Sequence, residues 1–549
     1  MEYFSNHINF NLLKNHILKD PLIDWFNIQE YHNNHIFERD GSTYYREYIL
    51  KESKKYKEKL LQQIIDRSQL DIPIYTCYKE TLFRIKNNEP LILQGKLYNE
   101  GKKLYTKCDI IIRYDHFTKI FPRIDNIPFH LFCKEDGYLL INICYSSLHF
   151  RIDLKTIAND GLSLYKKCNL YSFREAMYKV VGERYPCFLL GKEYYYRKTH
   201  LPKDKFIGKI DFDHTIIDAY NKAYKWILYL KKNYQEMKIL PKPSHKELYP
   251  NMNYKDSDWE NEKMKLANEI KEITLIWNIS FDERHEFLNR GITCWDDPKL
   301  LLYLKETKKK DIQERMIHMN KQNDILIYPR KNISNKLSTT IQDTNGIYFD
   351  IESFLSFDEK QNLFSHEKIQ EQPVIGIIGF IYKEKYYDFT IEDFTNRSEK
   401  KNIEYFIKKL KMITKKDESL SIYHWGHAEY NYIKYIQNKY PEIEFPPYQL
   451  IDVLDYFRTE PIIVQGVFKF GLKSIGSALY RNKLIKTTWG ENDNGLDSMI
   501  KFKEICQNHK KKIPLKRYID IKEIINYNRI DCQVLYEIVE LLRDKYTHS

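Results

Sequence analysis

Four acidic residues in the last part of the chain have the types and spacing to hold divalent cations. Asp350 and Glu352 stand in IYFDIES, where Ile347, Tyr348 and Phe349 mark a buried strand that the acids then interrupt. Residues two apart on a strand project to one face, and two like charges buried there are costly unless a cation lies between them. Such an oxygen-only ligand set suits Mg²⁺ or Mn²⁺. Glu429 follows a Gly turn in YHWGHAEYNYI, at the start of a predicted helix that would aim the acid back over the sheet. His424 and His427 beside it could orient groups or bind phosphate. Tyr527 and Asp531, in NYNRIDCQV, are spaced i, i+4 and so share one face of an amphipathic helix. Asp531 could complete a metal shell while the Tyr527 hydroxyl holds the attacking water, as two-metal phosphodiester hydrolysis requires. Taken singly, each motif also has a plain structural reading: a strand end turning polar, a Glu favoured by the helix dipole, packed histidines, an ordinary YxxxD helix.

The elements that must position these residues are readable in the pattern. GIYFDIESF, PVIGIIGFIY and YYDFTI read as strands, SEKKNIEYFIKKLKMI as a helix, SLSIYHWG as a further strand, and the rest as helices to Leu542. Toward the front, the helix-like REYILKESKKYKEKLLQQIIDRS leads into the β-type runs LILQGKL, CDIIIRY and YLLINICY. Between them the chain is helical and basic, ending in the polar linker NISNKLSTTIQDTN. A length of 549 residues predicts about three or four domains. The expected division is an N-terminal extension over 1–40, an α/β domain over 41–212, a helical connector over 213–334 and an α/β domain over 345–549.

In combination, D-x-E on the first strand, an acid after the fourth and YxxxD on a late helix resemble the DEDD superfamily of 3′ to 5′ exonucleases. More closely, YHWGHAEYNYI, DVLDYFRTEPIIVQGVFKFGLKSIGSALY and YNRIDCQVLYEIVELL look like the ribonuclease H-like domain that follows a RecB-type region in a family of bacterial and viral nucleases. That family has Glu where the wider superfamily has Asp at the second motif, as Glu429 does here. The resemblance implies a ribonuclease H-like fold, two Mg²⁺ or Mn²⁺ ions on Asp350, Glu352, Glu429 and Asp531, Tyr527 at the water, and 3′ to 5′ polarity. Asp452, in LIDVLDYF, matches a further Asp of the family and could serve as a fifth acid or hydrogen-bond the site. The resemblance also implies a PD-(D/E)xK restriction-endonuclease fold at the front. Asp109 matches its first acid, but Asn142 and Cys144 stand where an acid and a lysine belong. An amide brings no charge to a cation and a thiol is no cationic stabiliser, so this domain is expected to be a degenerate nuclease. In the connector, Gly291 and Ile292 resemble a helix-hairpin-helix turn offering N–H groups to phosphate, or else a plain Gly helix stop.

Composition sets the outer bounds. An apolar share of 42% with 15% aromatics supplies enough material for cores. The net charge of +12 suits a polyanionic partner, although solubility alone would also explain it. Runs such as KKNYQEMK, KETKKK, NKQNDILIYPRK and HKKKIPLKR could follow a phosphate backbone while Tyr and Trp stack on bases, or could be solvated helix surface. Nine scattered cysteines with no CxxC pair predict a reducing compartment and core packing. With no leader pattern and no apolar run near the roughly 20 residues of a membrane span, the expectation is a soluble intracellular protein of cytoplasm or nucleus, or one encoded by a virus. The whole predicts a multidomain α/β nuclease acting on nucleic acid, DNA ahead of RNA. The competing expectation is a nuclease-derived protein that binds or scaffolds nucleic acid without cutting it.

Overall fold

The computed structural model describes all residues except 1–4, 33–36, 41–42, 75, 255–257, 308, 323–324, 330–344, 356–372, 415–418, 460, 491–494, 510–514 and 547–549. The linker NISNKLSTTIQDTN lies almost wholly outside the described residues, as do parts of KETKKK, NKQNDILIYPRK and HKKKIPLKR. The chain is a mixed α/β protein whose described residues divide into two compact units. One runs to Ile270 apart from residues 43–45, and the other comprises those three and the chain from Lys271 onward. The helical stretch 213–334 is thus shared between the units. No described helix is long and apolar enough to cross a membrane.

The first unit is built on a seven-stranded sheet of β1 (Ile8–Asn9), β2 (Leu91–Asn99), β3 (Leu104–Arg113), β4 (Tyr138–His149), β5 (Cys187–Tyr196), β6 (Thr199–Leu201) and β7 (Gly208–Lys209). Strands β2, β3 and β4 are antiparallel neighbours, while β4 and β5 run parallel. A parallel pair needs a crossover, supplied here by a helix over Gly161–Val181. That helix packs Cys168, Leu170, Phe173 and Met177 into the core on one face of the sheet. On the other face, Leu60, Leu61 and Ile64 of the helix Tyr44–Ser68 cover Leu91, Leu93, Ile110 and Ile112.

The described part of residues 1–40 is no mere extension. Strand β1 pairs with β3, and the helix Leu22–His32 drives Leu22, Phe26 and Ile28 into the same core. Within it, the buried Asp24 carboxylate accepts from Trp226 Nε1 at 3.0 Å and Asn15 Nδ2 at 2.8 Å. Closely spaced apolar residues, among them Ile8, Phe10, Leu13, Leu22 and Phe26, fold this segment onto the sheet. Cys108, Cys144, Cys168 and Cys187 are buried in that core as unpaired thiols.

The second unit has a five-stranded sheet in the order β11-β10-β9-β12-β13. Its members are β9 (Gly346–Leu355), β10 (Pro373–Tyr382), β11 (Lys385–Thr390), β12 (Leu420–His424) and β13 (Tyr448–Asp452), and a separate ribbon pairs β8 (Ile327–Tyr328) with β14 (Ile463–Val464). The first three strands form an antiparallel meander, and β12 and β13 then continue parallel to β9. One face is covered by α1 (Asn396–Ile413) and α2 (His427–Lys439), which bury Ile403, Phe406, Leu410, Ile433 and Ile436 against Ile347, Phe349 and Ile351. The opposite face carries Tyr348, Asp350, Glu352 and Phe354 and lies under α3 (Leu472–Arg481), α4 (Gly495–Asn508) and α5 (Ile519–Tyr546). The alternation along β9 therefore places apolar side chains on the α1–α2 side and both acids on the α5 side.

A β-bulge in β10 falls between Ile375 and Ile377, opposite Ser353 and Glu352. It is held by the fully buried Glu399 of α1, which accepts from Ile375 N at 2.8 Å, from Lys439 Nζ at 2.6 Å and from the Tyr440 hydroxyl at 2.6 Å. Earlier in this unit, the helix Phe281–Asn289 ends with Gly291 at φ +77°. The N–H groups of Gly291 and Ile292 are both taken by helix carbonyls, of Leu288 and Phe287, each at 3.0 Å. This is the Gly helix stop, and neither N–H remains to bind phosphate.

Candidate metal centre

The two central strands and the long last helix bring the acids together. Ligand oxygens of Asp350, Glu352 and Asp531 all lie within 4.8 Å of one another, with Asp531 reaching down from α5. Glu429 sits in the first turn of α2, 6% exposed, with its carboxyl against that of Asp350. Its Oε2 is buried and has no hydrogen-bond donor. Such an orphaned buried oxygen is costly, and beside three more carboxylates it could serve a cation. Burial, then the neighbouring negative charges, pushes Glu352, Glu429 and Asp531 well above the usual carboxylate range. Burial likewise raises Asp350, to about 6, against opposing hydrogen bonds that include one from Asn528. The oxygen-only donor set and its unrelieved charge fit a hard divalent ion.

The turn that carries Glu429 depends on a glycine. Gly426 caps α2 with φ +94°, in the left-handed region that a Cβ disfavours. Asp452 fastens this turn: its Oδ1 accepts from Gly426 N at 2.7 Å and from Leu454 N at 3.0 Å. Of the two roles open to Asp452, the structure shows the hydrogen-bonding one. His424 is buried and donates through Nδ1 to the Gly426 carbonyl at 2.8 Å, 3.8 Å from Glu429, and burial lowers its pKa. It is a packed, positioning histidine. His427 is exposed on the first turn of α2.

Tyr527 lies one turn before Asp531 on α5 and is hydrogen-bonded to it. Burial and the nearby carboxylates raise its hydroxyl far above the usual range, so it keeps its proton. Lys473 Nζ of α3 lies 4.7 Å from the centre of the Tyr527 ring and offsets part of the charge on Glu352 and Asp531.

Further residues of the centre escaped the sequence reading. Asn528 Nδ2 donates to Asp350 Oδ2 at 2.6 Å, while its Oδ1 accepts from the Tyr386 hydroxyl at 2.8 Å. Gly379, opposite Asp350 on β10, makes room for it, since a Cβ there would lie 1.7 Å from Asn528 Oδ1. Trp489 Nε1 donates to Asp531 Oδ1 at 2.6 Å. Its segment is pinned to α5 through Glu537, which accepts from Lys486 N and Thr487 N at 2.7 and 3.0 Å. The i, i+3 spacing of Asn528 and Asp531 was a usable signal. Trp489 and Lys473 belong to no local pattern.

In the first unit, Asp109 is 2% exposed and accepts from Ile143 N at 2.8 Å, Gln94 Nε2 at 3.0 Å and Lys57 Nζ at 2.5 Å. Burial would raise this carboxyl, but Lys57 and Lys166 outweigh it and hold it at about 2. Asn142 Oδ1 accepts from Asp109 N at 3.0 Å. Cys144 is a core thiol beside Ser146 Oγ, its pKa pushed up by burial. Lys57, arriving from a helix rather than from a strand, thus fills the place beside Asp109 with an ammonium.

No protein-family model matches the chain, and no curated protein or solved structure shows significant similarity to it.

Proposed function

We propose that the second unit is a metal-dependent nuclease that hydrolyses nucleic-acid phosphodiester bonds, acting as a 3′ to 5′ exonuclease. The observation that carries this is the convergence of Asp350, Glu352 and Asp531 within 4.8 Å, with the orphaned Glu429 oxygen beside them. A ribonuclease H-like reading of the fold is supported by the antiparallel β11-β10-β9 meander extended by two parallel strands, with the acids on the central strand. The polarity rests on the resemblance of the motifs to DEDD exonucleases. Asp350, Glu352, Glu429 and Asp531 would hold two Mg²⁺ or Mn²⁺ ions. Bound there, such ions supply Lewis acidity for an attacking water and for the leaving oxygen.

The chain's own groups prepare that chemistry. Asn528 and Trp489 each occupy one carboxylate oxygen with an N–H, fixing the rotamers of Asp350 and Asp531. Such outer partners orient ligands and keep them ionised. Tyr527, protonated, can hold a water by its hydroxyl, and Lys473 places a positive charge at the rim where a phosphate would approach. The first unit is read as a RecB-like domain that has exchanged its metal site for the Lys57–Asp109 pair.

The test is digestion of end-labelled single-stranded DNA and RNA with Mg²⁺ or Mn²⁺ by the wild-type chain and by Asp350→Asn. Stepwise loss from the 3′ end by the wild type alone is expected. Equal activity of the two proteins, or inertness of the wild type on every substrate, would overturn the proposal.

A further inference from the structure

Next to Asp109, the β2–β3 pair presents a surface that the fold itself does not explain. Lys96 stands directly opposite Lys107, and Tyr98 directly opposite Tyr105. Like charges in facing positions of an antiparallel pair oppose folding. No described carboxylate forms an ion pair with Lys96 or Lys107, and the nearby Asp109 is already joined to Lys57. Burial and then Lys57 lower the pKa of Lys107, with Lys166 and Lys96 adding to the effect and Asp109 opposing it in part. An anion would relieve this crowding.

The rings point the same way. Tyr98 and Tyr105 lie 4.6 Å apart between centroids, Tyr105 is 39% exposed, and Tyr78 and His7 close in edge-on. His7 Nδ1 is 2.8 Å from the Tyr98 hydroxyl, which braces that ring. Aromatic side chains on a sheet flanked by unpaired lysines meet the two demands of a flexible polyanion with exposed bases, faces to stack on and charges for the backbone. A duplex satisfies only the second, because its bases show edges and not faces.

We propose that the outer face of the β2–β3 pair is a platform for single-stranded nucleic acid, with bases stacking on Tyr98 and Tyr105 and phosphates pairing with Lys96 and Lys107. This platform belongs to the first unit and does not depend on the second unit's being a nuclease.

The experiment measures binding of fluorescent oligothymidine, oligouridine and a duplex to the full chain by anisotropy in EDTA, over a range of salt. Tyr105→Ala should weaken single-strand binding about tenfold and leave duplex binding unchanged, whereas Tyr105→Phe should bind as the wild type does. The double variant K96Q/K107Q should lower the salt dependence of single-strand binding by about 1.4 in log–log slope, two phosphate contacts' worth. Unchanged affinity and slope in these variants would overturn the assignment, as would equal loss on duplex and single strand, or no binding at all. A polyglutamate peptide that binds through the lysines, with single strands indifferent to Tyr105→Ala, would give the face to an acidic protein and overturn it equally. Cleavage assays do not enter, so the platform and the nuclease stand or fall separately.

Discussion

Replacing Asp350 by Asn should make the metal-free protein more stable, and by an amount that depends on pH. The carboxyl is raised by burial from its ordinary 3.8 to about 6, so keeping it ionised in the fold costs about 3 kcal/mol, at roughly 1.36 kcal/mol per pH unit over about two units. Because the folded pKa is the higher one, the stability it confers is fully present below about pH 4, where both states are protonated, and is lost as pH rises through about 6. Asn has nearly the same shape and can still accept from Asn528, so the substitution removes the charge with little else. In EDTA the variant should match the wild type near pH 4 and exceed it by about 3 kcal/mol at pH 8, which is about 6–12 °C in the transition of a unit of this size. Calorimetry of the full chain across pH measures this. With Mn²⁺ the order should reverse, since the wild type gains a ligand-linked term that the variant largely forgoes. A variant less stable than wild type by one constant amount at every pH, with Mn²⁺ stabilising both equally, would refute both the charge argument and the metal site.

Other perturbations test the supports. Trp489→Phe removes the N–H on Asp531 and should weaken Mn²⁺ binding by about 10- to 100-fold in calorimetric titration, with the fold kept by circular dichroism. Gly379→Ala places a methyl against Asn528 and should cost about 1–3 kcal/mol in urea unfolding. The same change should abolish the proposed nuclease activity by displacing the Asp350 partner. Glu399→Ala leaves Lys439 and the bulge without their buried anion and should destabilise by about 3–5 kcal/mol, read by chemical denaturation. In the first unit the sign is opposite to that at Asp350. Asp109, held at about 2, contributes stability above about pH 4 that is lost as pH falls through about 2, and Lys57→Met should erase that acid-side loss.

Much of the second unit was legible because its strands are short, apolar and β-branched and its acids interrupt them. The period of two along IYFDIES placed Asp350 and Glu352 on one face, and the helical period placed Tyr527 with Asp531. The partners that make the acids usable come from afar: Trp489 is 42 residues from Asp531, and Asn528 is 178 from Asp350. No local periodicity encodes such meetings. The reading of residues 1–40 as an extension failed for a related reason. Strand β1 has only two residues, too few to show alternation, and its pairing with β3 spans most of a hundred positions of sequence. Lys57 was hidden among the charges of KESKKYKEK, where any lysine reads as solvated helix surface until the fold turns one of them inward.

That lysine sets how durable the partner of the buried Asp109 is. A counter-ion tethered to the backbone has a local concentration fixed by chain geometry, so chelation and dialysis cannot deplete it. The Lys57–Asp109 pair is therefore a permanent one. A carboxylate so committed is closed to other partners for as long as Lys57 stays in place.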